Sequence, residues 1–144
     1  MSMLKLHYVV PGDDFTRAGE ASGDVKHKLK KLGYNPTAIR RVAIAMYEGE
    51  INMVIHAGGG EAFVEVDPDK VEILLVDKGP GIADVSKAMQ EGWSTAPDNV
   101  RSLGFGAGMG LPNMKKYSDE MTIDSVVGEG TTLKMIIYAQ STKA

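Results

Sequence analysis

Alternation of apolar and polar positions predicts several short strands along this chain. Leu4, Leu6, Tyr8 and Val10 alternate with more polar residues up to a Pro-Gly pair, which indicates an opening strand followed by a turn. A nearly continuous apolar run at 71–76 is typical of a buried strand. The remaining predicted strands cover 62–66, 121–127 and 131–138, and a Gly-Glu-Gly hairpin signal separates the last two.

Two helices are predicted between the first strand and the second. Asp13 or Asp14 can cap a helix that runs to about Leu32 and ends at a glycine. Asn35, followed by a proline, can cap a long helix over 37–57, which three consecutive glycines end. Because the two helices follow one another directly, the chain lacks the alternating pattern of parallel βαβ units.

A third helix completes the element order. It is predicted to begin within 108–112 and to run to Tyr117, after a weakly patterned segment with one short helical stretch at 84–90. The order is therefore β, α, α, β, β, a loop-rich segment, α, β, β. This order predicts an α+β fold, a two-layer sandwich with helices on one face of a mostly antiparallel sheet.

Composition narrows the class of protein. A chain of 144 residues with 43% hydrophobic content is expected to form one globular domain over 1–144. The net charge of −3 and the scattered basic residues argue against nucleic-acid binding. There are no cysteines, the first residues lack the apolar core of a signal peptide, and no apolar run approaches the ~20 residues of a membrane span. We therefore predict a cytoplasmic protein that binds neither nucleic acid nor a membrane.

The long second helix carries the first candidate site. Glu48 and Asn52 are four residues apart and share one helix face. Such a pair is most often part of a solvated surface. As a site, the Asn52 amide oxygen can ligate Mg²⁺, and the Glu48 carboxylate can accept a proton beside a phosphate. Gly49 would let another group approach this helix closely.

The second candidate site follows the apolar run at 71–76. Asp77 is succeeded by Lys-Gly-Pro-Gly, with Gly79 and Gly81 as the glycines, and then by Ile82. A plain turn accounts for the glycines and the proline. A carboxylate at the end of a buried strand needs a donor, and the exocyclic amine of adenine is a good one. The glycines would then let the backbone pass close to a flat base.

The third candidate site is a glycine ladder before the third helix. Glycine-rich loops at helix N-termini favour phosphate, because free N–H groups and the helix dipole both attract anions. A flexible linker is the alternative, and a dinucleotide fingerprint is disfavoured because no strand precedes the ladder. The residues assigned to phosphate binding are Gly104, Gly106, Gly108, Met109, Gly110 and Leu111.

Three further residues stand near these motifs. Arg101 precedes the ladder and can reach a terminal phosphate, although a lone loop arginine is commonly just solvated. Thr131 and Thr132 open the last strand, where β-propensity explains them and a hydroxyl could also touch a phosphate.

Taken together, the motifs resemble the N, G1 and G2 boxes of the GHKL ATPase superfamily, whose nucleotide pocket is the Bergerat fold. Within it the chain is similar to small single-domain serine kinases that regulate bacterial sigma factors, both anti-sigma factor kinases and switch kinases. The similarity covers about 38–138. It is strongest in Asp77-x-Gly-Pro-Gly-Ile and in the stretches 88–95, 106–112, 118–120 and 128–132.

The resemblance implies a role for each matching residue. Glu48 corresponds to the general base, Asn52 to the Mg²⁺ ligand and Asp77 to the aspartate that hydrogen-bonds adenine. Gly79 and Gly81 correspond to the glycines beside the base. The lid over the phosphates is matched by Gly106, Gly108 and Gly110, and the late hydroxyl near the base by Thr132.

The resemblance also implies an activity. The leading hypothesis is an ATP- and Mg²⁺-dependent serine/threonine kinase that phosphorylates a STAS-domain antagonist and so controls a sigma factor or a stress-signalling phosphatase. The alternative is a nucleotide-gated binding module that sequesters a partner without transferring phosphate, and a third possibility is slow ATP hydrolysis. Met53 after Asn52 and a ladder richer by one glycine depart from the anti-sigma pattern, and Glu50 offers a competing carboxylate. A homodimer through exposed apolar residues is a further expectation.

Overall fold

The computed structural model describes residues 3–12, 17–82, 89 and 110–140. Within this part of the chain it contains five strands and three helices. In chain order they are β1 (Leu4–Pro11), α1 (Glu20–Lys31), α2 (Pro36–Ala57), β2 (Gly59–Val66), β3 (Lys70–Asp77), α3 (Gly110–Tyr117), β4 (Glu120–Val126) and β5 (Gly130–Tyr138). The short helical stretch predicted at 84–90 lies outside the described residues, apart from Met89.

The strands form one sheet with the order β1-β2-β3-β5-β4, and every neighbouring pair is antiparallel. Inward side chains of β3, such as Ile73 and Leu75, are buried, whereas Leu74 and Val76 are half-buried on the opposite face. Among the described elements, the helices therefore cover one side of the sheet. The α+β sandwich is confirmed, and the strand predicted at 71–76 is present, buried on the face toward the helices and half-buried on the other.

Helix α2 lies at the centre of the helical layer and contacts both α1 and α3. Asn35 caps it as predicted, because its Oδ1 accepts hydrogen bonds from the N–H groups of Thr37 at 2.9 Å and Ala38 at 3.4 Å. Gly58 ends it with φ 70°, a conformation that favours glycine. The side chains of Val42, Ala45 and Met46 are fully buried, which fixes the orientation of the helix on the sheet.

Helix α1 begins later than the sequence suggested. It starts at Glu20 rather than soon after Asp13 or Asp14, and those two aspartates lie outside the described residues. Its N-cap is Gly19, with φ 100° and no side-chain cap of its own. The Glu50 carboxylate of α2 accepts hydrogen bonds from the first N–H groups of α1 instead, so a tertiary contact replaces the local cap.

None of the helices in the described part of the chain has the length and apolar character that a membrane crossing requires.

Candidate functional site

Glu48 lies on the flank of α2 that faces α3. Its side chain is half-buried, and the Asn113 amide donates a hydrogen bond to its Oε1 at 3.4 Å. Burial raises the pKa of Glu48, and the bond from Asn113 opposes that shift. The carboxylate is therefore more basic than an ordinary glutamate, which suits a group that accepts a proton. Asn113 was not identified from the sequence, where it is one polar residue in a short helix.

Asn52 lies one turn further along α2 and faces the start of α3. A Cβ placed on Gly110 would lie 3.7 Å from Asn52 Oδ1, so the amide oxygen sits beside the N-terminus of α3. The free N–H groups of that helix end attract anions. Gly110 is thus brought to the candidate site as predicted. Leu111 is only 6% exposed and its side chain belongs to the hydrophobic core, so its predicted contact with a nucleotide is left to its backbone and stays a prediction.

Asp77 ends β3, and one of its two carboxylate oxygens has hydrogen-bond donors within the protein. Oδ1 accepts hydrogen bonds from the N–H groups of Gly79 at 2.9 Å and Thr131 at 3.2 Å. The turn itself therefore supplies one of the donors that this buried-strand carboxylate needs. From the part of the chain that the structure describes, no donor reaches the second oxygen, Oδ2, which leaves one acceptor for a ligand.

The glycine turn after Asp77 packs closely against its neighbours. A Cβ on Gly79 would lie 2.6 Å from the Cα of Ala57, so the turn contacts the C-terminal end of α2 directly. Gly81 has φ 78°, and a Cβ there would lie 2.5 Å from the carbonyl oxygen of Val126. Both positions accommodate only glycine, and the turn is held between α2 and the β4–β5 hairpin.

A chain of hydroxyl groups connects this turn to the end of the sheet. The N–H of Ile82 donates to Ser125 Oγ at 2.7 Å, and Ser125 Oγ lies 2.7 Å from Thr131 Oγ1. Thr131 is paired with Asp77 across the β3–β5 ladder. Ser125 was missed by sequence reasoning, since its position depends on the register of β4 against β5.

Thr132 is not brought to the site. It is exposed and pairs with Val76 on the outer face of the sheet, while Thr131 is buried beside Asp77. Side chains alternate along a strand, so only one of two adjacent threonines can face the helices. The threonine that lies beside Asp77 is therefore Thr131 and not Thr132, and a contact of either hydroxyl with a nucleotide stays a prediction.

The competing carboxylate, Glu50, is structural. Its side chain is 1% exposed and accepts hydrogen bonds from the N–H groups of Ser22 at 2.6 Å, Gly19 at 3.0 Å and Ala21 at 3.3 Å. Its carboxylate contacts the start of α1, whereas Asn52 lies beside the start of α3. Gly49 also has a packing role, since a Cβ there would lie 2.2 Å from Leu75 Cδ1.

Several assigned residues lie outside the described part of the chain. They are Arg101, Gly104, Gly106, Gly108 and Met109. Their predicted roles on the terminal phosphates and in the lid stay predictions.

The metal prediction is compatible with the donors that are present. Among the described residues, no three His, Asp or Glu side chains are grouped so that they could hold a metal ion. Mg²⁺ commonly takes one or two protein oxygens and completes its shell with water and substrate phosphates. The half-buried oxygen of Asn52, next to a helix N-terminus, fits that kind of site.

The site residues lie in sequence along α2. Glu48 comes first, Asn52 follows, and Ala57 contacts the Asp77 turn, with about 14 Å of helix between the first and the last. A ligand that spans this distance would place one end at the Asp77 turn and the other at Glu48. The arrangement suits a nucleotide whose base and terminal phosphate need separate contacts.

The chain is similar to relatives of known function over most of its length. Over 115 residues the chain is 35% identical to the serine/threonine-protein kinase RsbT of Bacillus subtilis, covering 77% of this chain and 80% of that one. Over 106 residues it is 33% identical to the anti-sigma F factor of Thermoanaerobacter sp., covering 74% of this chain and 66% of that one.

A solved structure supports the fold. The RsbU and RsbW domains of Rv1364c from Mycobacterium tuberculosis superimpose with a TM-score of 0.62 at 15% identity, covering 94% of this chain and 32% of that one. In sequence, residues 15–137 match the histidine kinase-like ATPase domain. The chain therefore belongs to the histidine kinase-like ATPase domain family.

Proposed function

We propose that this protein is an ATP-dependent serine/threonine protein kinase that phosphorylates a STAS-domain antagonist and thereby controls a sigma factor or a stress-signalling pathway. One observation carries the proposal. On one helix, the half-buried Glu48, whose pKa is raised, lies one turn from Asn52, whose amide oxygen sits beside a helix N-terminus. Similarity to a serine/threonine-protein kinase over most of both chains supports it.

Each residue has a defined part in the proposed reaction. When bound, ATP would supply the transferable phosphoryl group, and Mg²⁺ would offset part of its negative charge. The second carboxylate oxygen of Asp77 would accept a hydrogen bond from the adenine amine, and Gly79, which has no side chain, would leave space for the base. Asn52 provides the oxygen ligand for the metal. The N–H groups at the start of α3 orient the phosphates.

Glu48 acts as the general base and takes the proton from the acceptor hydroxyl. Burial raises the pKa of Glu48, which makes the carboxylate a stronger base than an exposed glutamate. Asn113 fixes the carboxylate with one hydrogen bond to Oε1, and the other oxygen is left for the substrate. Positioning and electrostatics would supply most of the rate enhancement, as in phosphoryl transfer generally.

Transfer of radiolabelled phosphate to a purified STAS domain tests the proposal. We expect labelling of a serine or threonine with the wild-type chain and a loss of about 10²-fold or more with Glu48→Ala. Glu65→Ala, an exposed glutamate of β2, is the control and should label normally. Undiminished transfer by the Glu48 variant would refute the role of this residue.

A second candidate function is a nucleotide-gated binding module that sequesters a partner. Similarity to anti-sigma F factors favours it. In that case nucleotide binding changes the affinity for the partner, and no phosphate is transferred. The two functions are separated by partner binding measured with ATP, with ADP and with a non-hydrolysable analogue alongside the transfer assay.

Location and assembly complete the proposal. We expect the protein to act in the cytoplasm, where its ATP is available. A homodimer would use apolar side chains that the described part of the sheet leaves exposed, among them Val9 at 72% and Phe63 at 39%.

A further inference from the structure

A groove of about 450 Å³ lies between α1 and α2, separate from the candidate nucleotide site. Its floor is apolar and is formed by Tyr34, Pro36, Ile39, Ala43 and Ile44. Ile39 and Tyr34 are buried, and the Tyr34 hydroxyl donates to the carbonyl of Asp67 at 3.1 Å, which anchors that wall. The Tyr34 side of the floor is therefore tied to the β2–β3 turn, and the floor offers apolar surface to a partner.

The charged side chains that line this groove in the described part of the chain are all basic. Lys26 and Lys30, four residues apart on one face of α1, form one rim, and Arg40 of α2 forms the other. All three residues are exposed, and no acidic residue is found among the described residues that line the groove. Because the whole chain has a net charge of −3, the positive potential here is a local feature and not a property of the entire surface.

The groove opens near the candidate catalytic residue. Arg40, Ile44 and Glu48 are spaced four residues apart, so they lie along one side of α2, with about 12 Å between Arg40 and Glu48. Arg40 also lies over the ring of Tyr117 at 5.9 Å. Tyr117 and Asn113, which contacts Glu48, are one turn apart on α3. A protein seated in the groove would thus be within reach of Glu48.

We propose that this groove, called here the α1–α2 groove, docks an acidic segment with an apolar ridge on the protein substrate. Carboxylates of the partner would pair with Lys26, Lys30 and Arg40, while its apolar ridge covers Ile39, Ala43 and Ile44. Docking at this place brings the acceptor hydroxyl of the same partner toward Glu48. The inference rests on the proposed kinase function for its purpose, but the docking itself does not require phosphoryl transfer.

Direct binding of a designed peptide tests the docking without any kinase assay. The probe is a fluorescent helical peptide of about 18 residues with leucines on one face and glutamates beside them. We expect saturable binding that weakens as salt is added and that falls about tenfold in Lys26→Glu/Lys30→Glu. The matched control is Lys31→Glu/Lys5→Glu, which makes the same charge change at exposed lysines outside the groove and should change the affinity less than about twofold.

Two further peptides separate the apolar contribution from the charge. A scrambled sequence of the same composition removes the leucine ridge, and a lysine-for-glutamate version reverses the charge. Both should bind at least about tenfold more weakly than the probe. Equal binding of the scrambled peptide, or an equal loss in the two double variants, would overturn the proposal in favour of general charge attraction.

Steady-state transfer to the STAS domain then links the groove to the reaction. Lys26→Glu/Lys30→Glu should raise KM for the protein acceptor about tenfold, with kcat and the affinity for Mg·ATP unchanged. An unchanged KM in this variant, with Glu48→Ala still inactive, would overturn the docking inference and leave the kinase proposal standing. Absence of transfer by the wild-type chain, with intact groove-dependent peptide binding, would instead refute the kinase function alone.

Two other occupants would also contradict the inference. Sedimentation that shows a wild-type dimer and a monomer for Lys26→Glu/Lys30→Glu would assign the groove to a second copy of this chain. Groove-dependent binding to phosphatidylglycerol vesicles without binding to the acidic peptide would assign it to an anionic lipid surface.

Discussion

Two glutamates on opposite flanks of α2, Glu48 and Glu50, differ in their burial and in their hydrogen-bond partners. On the α1 flank, Glu50 is 1% exposed and accepts hydrogen bonds from three backbone N–H groups. On the α3 flank, Glu48 is half-buried and has one long hydrogen bond of 3.4 Å, from Asn113. The same residue type on the same helix therefore stabilises the fold at one position and has unused acceptor capacity at the other.

The difference shows how a functional acid can be distinguished from a structural one. A buried charge with every acceptor occupied is stabilised in place, and another ligand could bind it only by displacing backbone donors. A half-buried carboxylate with few partners has a raised pKa and is available to a substrate. The α1 flank thus holds the helices together, and the α3 flank faces the candidate chemistry.

The largest effect is expected from Glu48→Gln, which tests the α3 flank. Phosphate transfer should fall by about 10²- to 10⁴-fold, because the general base is lost. The pKa of Glu48 is higher in the folded chain, so its ionisation lowers stability as pH rises from the ordinary value of 4.5 through the raised value. At pH 7 the variant should therefore unfold at an equal or slightly higher temperature. A less stable protein with normal transfer would reverse the assignment.

Glu50→Ala tests the α1 flank. Three N–H groups would lose their acceptor, and we expect the free energy of unfolding to fall by about 3 kcal/mol. Urea denaturation followed by circular dichroism measures this loss. Glu48→Ala is the matched control, and its smaller effect on stability should stay below about 1 kcal/mol. Equal losses at both positions would remove the distinction between the flanks.

A smaller effect is expected from Asp77→Asn, which changes only the spare acceptor. The amide can keep one oxygen for the N–H groups of Gly79 and Thr131, but its NH₂ would meet the adenine amine. ATP affinity should fall by about 2 kcal/mol, or about 30-fold, with the melting temperature nearly unchanged. Titration calorimetry measures the affinity. Thr132→Val, on the outer face of the sheet, serves as the silent control.

The smallest effect is a shift in pH dependence on replacing Asn113. The hydrogen bond from Asn113 lowers the pKa of Glu48, and Asn113→Leu removes that donor while keeping the site filled. The acid limb of kcat/KM for transfer should therefore move to higher pH. Asn113→Gln, which keeps an amide donor, should move it less. A shift to lower pH would show that the bond does not act on the catalytic carboxylate.

The fold was largely predictable because its signals are local. Alternating residues gave the strands, and the Asn35 cap and Gly58 gave both ends of α2. The start of α1 was not predictable. Glu50 takes the place of its cap. It accepts hydrogen bonds from N–H groups that are 28 residues or more away in the chain, and no local pattern encodes such a contact.

Among the site residues, those on α2 were the easiest to find. Four-residue spacing places Glu48 and Asn52 on one face in any helix. The choice between Thr131 and Thr132 depended on strand register, because a shift of one residue moves every side chain to the other face. Asn113 and Ser125 depended on which elements meet in space, so a single sequence could not identify them.

Residue types and spacing alone determined the α+β order, the helix that carries an acid and an amide, and the glycine turn after Asp77, because these features depend on neighbours a few residues away. The tertiary structure alone decided that Glu50 is occupied and Glu48 is available, that Thr131 rather than Thr132 meets Asp77, and that a basic groove lies beside the site. Hydrogen-bond partners and burial arise from segments distant in the chain, so they are settled only when the helices pack on the sheet.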